Sequence, residues 1–310
     1  MKTSVIVPVF NEQGTLRELD RKLNSVLCSL NSSYEIIYVN DGSSDASPVI
    51  LDEITAENKN AVLITLARNY GQTQAIAAGV DNAGGETIVT IDADLQNAPE
   101  DIPKLLKKLE EGYDLATGWR KRRQDSLLWK KIPSLAANKL IAMITGVKIH
   151  DLGCTLKAYR SNVLKQIEFH GEIHRLLPLY AAMRGAKIAE IPVRHYRRKS
   201  GRSKYGLSRC IKVILDVFAV MFMWKFVQRP IYAFGSVGLA SLSFSGLIGL
   251  FIVLRKIFLG GVWVSPLLFI FVIFFLIGIQ FMLMGILAEF ILRLYFGVKD
   301  IKRYEIKQKR

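Results

Sequence analysis

The chain has 310 residues, half of them hydrophobic, with 42 Lys and Arg against 27 Asp and Glu for a formal charge of +15. That length supports one sizeable core and a smaller second unit, and the apolar content excludes a disordered chain. Residues 1–186 carry 22 basic and 22 acidic side chains, residues 187–229 carry 11 and 2, and residues 230–310 carry 9 and 3, so the whole excess lies where the long apolar runs lie. This placement fits a membrane surface and argues against nucleic acid, whose basic footprint would belong to the folded core.

In chain order, short β-branched runs alternate with helical stretches. Strands are predicted at residues 4–9, 35–39, 62–65, 87–91, 115–117 and 188–193, and helices at 12–30, 47–58, 73–82 and 99–111. The first apolar run ends at Asn11-Glu12 without a small-residue cleavage site, so it is read as a strand of a cytosolic domain and not as a signal peptide. The alternation predicts an α/β, Rossmann-like domain over residues 1–205 with a mostly parallel sheet covered on both faces. Ligands of such sheets bind at the carboxyl ends of the strands. Polar clusters stand at those ends: Asn11-Glu12, Asp41-Gly42-Ser43-Ser44-Asp45, Arg68-Asn69-Tyr70-Gly71-Gln72 and Asp92-Ala93-Asp94-Leu95-Gln96.

Taken singly, each cluster also reads as ordinary turn chemistry; Asn40 to Ser43 suits a turn followed by a helix cap. Asp92 and Asp94 stand out because the run 87–91 delivers them from a buried strand. Two apart in extended chain, both carboxylates would face one side and share a divalent cation, Mg2+ or Mn2+, with Gln96 adding a carbonyl oxygen. No P-loop or G-x-G-x-x-G loop offers another way to neutralise a diphosphate. Cys28, Cys154 and Cys210 are too widely spaced for a disulfide framework or a zinc pattern. The four histidines show no metal spacing, and His174 and His195 are read as packing or hydrogen-bonding residues.

Residues 206–230 mix apolar side chains with Arg209, Lys212, Asp216 and Lys225 and are predicted as a helix lying in the headgroup plane. Residues 231–254 and 266–288 are 24 and 23 residues without a charge, each enough to cross the hydrocarbon of a bilayer. With about a dozen residues between them they form a helical hairpin, Arg255 and Lys256 falling in its short outer loop. Glu289 and Arg293 are placed to pair at the end of the second span, near residue 290. The basic tail, residues 291–310, puts both termini and the first domain on the cytoplasmic side. Small residues in the first span, Gly235, Gly238, Ser241 and Gly249, are a surface on which copies of the chain would associate as a homo-oligomer.

The four strand-end clusters, with Val5-Ile6-Val7-Pro8-Val9-Phe10 before the first, resemble family 2 glycosyltransferases of the GT-A fold. His150-Asp151-Leu152-Gly153-Cys154-Thr155-Leu156-Lys157-Ala158-Tyr159-Arg160, His174-Arg175-Leu176-Leu177-Pro178 and Gly201-Arg202-Ser203-Lys204-Tyr205-Gly206 are similar to the polyprenyl-phosphate branch, which includes dolichol-phosphate mannosyltransferases and undecaprenyl-phosphate aminoarabinose transferases. The resemblance implies a nucleotide-sugar donor (UDP- or GDP-linked), a polyprenyl phosphate acceptor (undecaprenyl or dolichyl) and inverting transfer of a single sugar. It implies that Pro8, Phe10, Glu12 and Asp41 hold base and ribose, that Asn69 and Gln72 belong to the donor site, and that Asp92, Asp94 and Gln96 hold metal and diphosphate. Leu156-Lys157 stands where much of the branch has Phe-Arg; lysine keeps the charge but not the guanidinium fork.

Such a reaction needs cations that bring an anionic lipid head beside a charged donor. Arg120, Lys157, Arg175, Arg202 and Lys204 are the candidates, with Lys121 to Arg123 read as a solvated loop. Asp151 is either a base or a residue that orients a sugar hydroxyl or an arginine. Two other functions remain open on the sequence: a sugar nucleotidyltransferase, and a membrane-tethered nucleotide-sugar sensor.

Overall fold

The strands form where the sequence is apolar on both faces. In the computed structural model, which describes residues 2–30, 32–121, 149–169, 171, 173–196, 230–260, 265–297 and 306–309, β1 (Thr3–Val9) is buried along almost its whole length. It pairs in parallel with β2 (Tyr34–Asn40) and β4 (Thr87–Thr90), and β2 pairs in parallel with β3 (Ala61–Leu66). Between them run α1 (Leu16–Cys28), α2 (Ser47–Glu57) and α3 (Gln72–Asn82). Leu16, Leu19, Leu23 and Leu27 make the buried stripe of α1 at the three-and-four spacing of a helix. The predicted start at Glu12 is too early, because Asn11 adopts a left-handed conformation (φ 57°) that keeps residues 11–15 out of the helix. A short 3-10 turn, Pro99–Asp101, leads into α4 (Ile102–Glu110), which buries Ile102, Leu105 and Leu109.

Beyond β4 the sheet becomes mixed. After β5 (Leu115–Trp119), a strand not predicted from the sequence, β6 (Lys157–Arg160), inserts antiparallel between β4 and β5. A one-turn helix α5 (Ser161–Leu164), a 3-10 turn at Ile173–Arg175 and α6 (Leu177–Met183) lead to β7 (Ile188–Pro192), parallel to β5. Residues inside the expected basic tail form β8 (Ile306–Lys309), antiparallel to β3. Among the described residues the order is β7-β5-β6-β4-β1-β2-β3-β8. One apolar cluster, with the α1 leucines, Tyr38 and Ile102, covers one face, and a second, with Ile6, Ile37, Ala75 and Tyr159, covers the other.

The chain divides into two units, residues 1–217 with 302–310, and residues 218–301. Among the described residues the second unit holds α7 (Pro230–Leu259) and α8 (Pro266–Gly297). Both are long and apolar enough to cross a membrane, with mean hydropathy 2.2 over an 18-residue window of Pro230–Leu259 and 2.8 over one of Pro266–Ile291. Leu247, Ile257, Phe258, Leu259 and Phe269 are exposed at 65% or more, which is not how the core helix of a soluble domain behaves. Helix α7 continues to Leu259, so Arg255 and Lys256 lie in its last turns and not in the loop, where cations complement the helix dipole.

The two helices pack antiparallel through small residues. A Cβ on Gly238 would lie 2.9 Å from the Gly278 carbonyl oxygen, and one on Gly249 would lie 3.0 Å from the Phe271 ring. Ser245 Oγ donates to the Phe271 carbonyl at 2.9 Å. Gly238 and Gly249 are therefore spent inside the hairpin, and they no longer argue for association between copies. The predicted interfacial helix, Cys210, Arg202 and Lys204, together with the Arg293 side chain, lie outside the description.

Candidate active site

The four polar clusters meet at one edge of the sheet, joined by hydrogen bonds into a ring. After β1, the backbone N–H of Asn11 donates to Ser43 Oγ (3.1 Å), Ser44 N–H donates to Asn11 Oδ1 (2.8 Å), and Glu12 N–H donates to Ser47 Oγ (3.0 Å). After β2, Asp41 accepts the N–H groups of Tyr70 (2.7 Å) and Gly71 (2.9 Å), one on each carboxylate oxygen. Gly42 makes that junction possible. It holds φ +66°, and a Cβ there would stand 2.6 Å from both Arg68 C and Asn69 N. After β3, Gln72 Nε2 donates to Asp92 Oδ1 at 2.7 Å. After β4, the Ala93 carbonyl accepts Thr15 Oγ1 at 2.7 Å and closes the ring.

Asp41 is 3% exposed. Burial pushes its carboxyl up, against the two N–H bonds that pull it down. Pro8, Phe10, Glu12 and Gln72 are half-buried around this rim, and Asn69 is exposed.

Asp92 and Asp94 come together by a route the sequence did not predict. Strand β4 stops at Thr90, and Ala93-Asp94 form a turn that ends at Leu95 with φ 57°, so extended alternation does not aim the two carboxylates. The turn is held by its own hydrogen bonds. Asp94 Oδ1 accepts the Gln96 N–H at 3.1 Å, and the Gln96 carbonyl accepts Tyr196 N–H at 2.8 Å. Burial first and the charge of Asp94 second push Asp92 up to about 7, while Thr155, Arg120 and Lys157 act in the opposite direction. A carboxylate pair this short of positive charge fits a divalent cation. Among the described residues no cluster of three or more His, Cys, Asp or Glu is placed to hold a metal. Among the described residues, Asp92 and Asp94 are the carboxylates that would suit a cation here, with phosphate oxygens and water in the remaining positions.

Asp151, 3% exposed, is committed to Arg120. It accepts Arg120 Nε at 2.7 Å and Nη2 at 2.9 Å, a bidentate pair, with the Arg120 backbone N–H at 3.2 Å. This geometry fits the reading of Asp151 as a residue that orients an arginine. Glu190, on β7, holds Asp151 in turn: Oε1 accepts the backbone N–H groups of His150 and Asp151, each at 2.9 Å, and Oε2 meets His150 Nδ1 at 2.6 Å. Sequence reasoning passed over Glu190 as one more strand residue. The His150 ring stacks on Trp119 at 4.5 Å.

Lys157 differs from its expected role. It is 2% exposed, and its Nζ donates to the carbonyls of Leu152 and His174 at 3.3 Å each. Burial pushes its ammonium down to about 8. β6 pairs Lys157 with Thr90, and the buried lysine lies near enough to Asp92 and Asp151 for their charges to act on it. Arg175 stands at the end of its 3-10 turn, and its Nε donates to His174 Nε2 at 3.3 Å. His174 Nδ1 lies 2.7 Å from Thr73 Oγ1, one residue along α3 from Gln72. Thr73, Thr155 and Glu190 are thus site residues that the sequence reading did not select. Arg202 and Lys204 lie outside the described residues.

Comparison with known proteins matches this arrangement. The sequence model of glycosyl transferase family 2 covers residues 4–168. A dodecaprenyl-phosphate galacturonate synthase of Rhizobium johnstonii is 41% identical across 99% of this chain and 93% of its own. An undecaprenyl-phosphate 4-deoxy-4-formamido-L-arabinose transferase of Klebsiella pneumoniae is 40% identical across 99% and 93%. Among solved structures, glucosyl-3-phosphoglycerate synthase of Mycobacterium tuberculosis in complex with Mn2+, UDP and phosphoglyceric acid superposes with a TM-score of 0.55, at 18% identity, over 72% of this chain and 78% of that one. That likeness is one of fold. The ring of strand-end loops, the family match over half of the sequence and the full-length relatives agree: this chain belongs to glycosyl transferase family 2 and is a glycosyltransferase of the GT-A fold.

Proposed function

We propose that the protein transfers a single sugar from a nucleotide sugar to a polyprenyl phosphate at the cytoplasmic face of a membrane. The observation that carries the reading is the charge arrangement. A carboxylate pair short of positive charge, Asp92 with Asp94, lies in one domain with two arginines that are held in place, Arg120 by Asp151 and Arg175 by His174. One half of that arrangement suits a metal-bound diphosphate and the other a phosphate monoester. The names of the relatives support the acceptor class, since both transfer onto polyprenyl phosphates.

Asp92 and Asp94 would hold the metal, Mg2+ or Mn2+, with Gln72 fixing the Asp92 carboxylate. When bound, such an ion offsets the charge that develops on the leaving diphosphate. Asp41 fixes the loop that carries Gln72, next to the rim of Pro8, Phe10, Glu12 and Asn69 assigned to base and ribose. Arg120 and Arg175 receive the lipid phosphate. With a second pKa of about 6, a phosphate monoester is already largely ionised near neutrality. Its oxygen attacks the anomeric carbon without a protein base, and one displacement inverts that carbon. Asp151 is then free to serve Arg120.

Strand pairing supports the topology. β8 follows the second apolar helix and pairs with β3, which precedes the first, so an even number of crossings returns the chain to its starting side. The basic segments that flank the helices support a cytoplasmic assignment of that side. The test is to incubate purified protein and Mn2+ with undecaprenyl phosphate and, in turn, UDP-galacturonate, UDP-4-deoxy-4-formamido-L-arabinose and GDP-mannose, and to read lipid masses. One glycosylated lipid with one nucleoside diphosphate per turnover is expected. Conversion of the nucleotide sugar to a nucleoside triphosphate and a sugar 1-phosphate when inorganic diphosphate is added in place of the lipid would indicate a nucleotidyltransferase. Tight nucleotide-sugar binding with no lipid product for any donor would indicate a sensor.

A further inference from the structure

Thr73, His174 and Arg175 form a hydrogen-bonded chain from the first turn of α3 to the 3-10 turn before α6. The direction of its bonds follows from chemistry. Arg175 Nε carries a hydrogen and cannot accept, so His174 Nε2 is the acceptor. A neutral imidazole then has its proton on Nδ1, and that N–H donates to Thr73 Oγ1. Burial, with the Arg175 and Lys157 charges, pushes His174 down to about 3, consistent with a ring that stays neutral. Thr73 is 4% exposed and His174 5%. The backbone of His174 is held as well, since its carbonyl accepts Lys157 Nζ at 3.3 Å.

An apolar side chain would fill the same interior volume. A histidine there, locked at both nitrogens, sets the rotation of a guanidinium. Holding Nε fixes the plane in which the Nη pair of Arg175 presents its fork, and that orientation decides whether a phosphate is met by two parallel bonds or one. Thr73 fixes the tautomer. Without its hydroxyl the ring can move its proton to Nε2, which then opposes the Arg175 N–H and turns the guanidinium away. We infer that Thr73 and His174 are positioning residues that orient Arg175 for the acceptor phosphate. Because Thr73 adjoins Gln72, which holds Asp92, the donor and acceptor sides share the first turn of one helix. This inference rests on the role given to Arg175 above and adds two residues to it.

The test titrates full-length protein in detergent with farnesyl phosphate, a water-soluble prenyl monophosphate, and in parallel with UDP in the presence of Mn2+. Thr73→Val and His174→Asn each weaken farnesyl phosphate by about 5- to 10-fold, the scale of one ordinary intramolecular hydrogen bond, and leave UDP affinity unchanged. Thr73→Ser keeps the hydroxyl and His174→Gln keeps an acceptor near the Nε2 position, and both retain most of the affinity. In an Arg175→Ala background, Thr73→Val adds no further loss. Unchanged farnesyl phosphate binding in Thr73→Val, a loss that multiplies with Arg175→Ala, or a parallel loss of UDP binding overturns the positioning role alone. If Arg175→Ala binds farnesyl phosphate as the wild type does, or the wild type does not bind it, the acceptor assignment of Arg175 falls first and the inference with it.

Discussion

Replacing Asp151 by asparagine separates a base from a holder of Arg120. Asp151 is 3% exposed and accepts three N–H groups of Arg120, at 2.7, 2.9 and 3.2 Å, while the Arg120 side chain is 15% exposed. Removing one partner of a buried ion pair costs about 3–5 kcal/mol, because the other charge is left uncompensated. The partial exposure of Arg120 and the amide oxygen that asparagine keeps put this case at the lower end, about 3 kcal/mol. For a domain of this size that corresponds to a fall of about 6–12 °C in Tm. Activity falls through Arg120, by about 10- to 100-fold in kcat/KM and mainly in the KM for lipid phosphate. Arg120→Gln shows the same loss, and the double variant loses no more activity than Arg120→Gln. Thermal melts and initial rates of lipid glycosylation measure both quantities. A wild-type Tm with a fall in kcat of about a thousandfold or more, additive with Arg120→Gln, is the signature of a general base and would refute the reasoning.

Three further outcomes are expected. Asp94→Ala lowers kcat by about 100- to 1,000-fold, and EDTA silences the wild type until Mn2+ is restored; full activity in EDTA removes the metal assignment. Gly42→Ala forces a side chain into backbone at 2.6 Å and a left-handed φ of +66°, so it destabilises by about 1–3 kcal/mol and weakens UDP by displacing the loop that carries Gln72; an unchanged Tm and UDP affinity contradict this. The His174 ring titrates near 6.5 in the unfolded chain and near 3 in the fold. Between those values the unfolded state binds a proton that the folded ring refuses, so this contribution is complete above pH 6.5 and is lost on acidification at about 1.4 kcal/mol per pH unit. Melts of wild type and His174→Gln from pH 7.5 to 4.5 should diverge accordingly, and parallel curves would reject the buried neutral ring.

Much of the catalytic half was legible because its information is local. β1, β2 and β3 lie within a residue or two of the predicted runs, since strands buried on both faces must be apolar throughout. The polar clusters follow because parallel strands deliver their carboxyl ends to one edge. The two long apolar helices were equally plain from composition. What stayed hidden depends on partners far along the chain. Lys157-Ala158-Tyr159-Arg160 has too much charge to read as an interior strand, yet it fills the gap between β4 and β5. That placement buries the lysine, which the sequence order alone did not reveal. Glu190 and Thr73 carry no local signal of a role, because each acts on a residue brought from elsewhere: Glu190 on Asp151 and Thr73 on His174.

By itself, then, the amino-acid order determined the α/β alternation, the rim of polar strand-end clusters and the two long apolar helices, all written in the period and polarity of neighbouring residues. Only the tertiary structure decided strand order, the turn that brings Asp94 to Asp92, and which carboxylate holds which arginine. Burial and Coulomb interactions depend on distances through space, and those distances exist only once the sheet has closed around them.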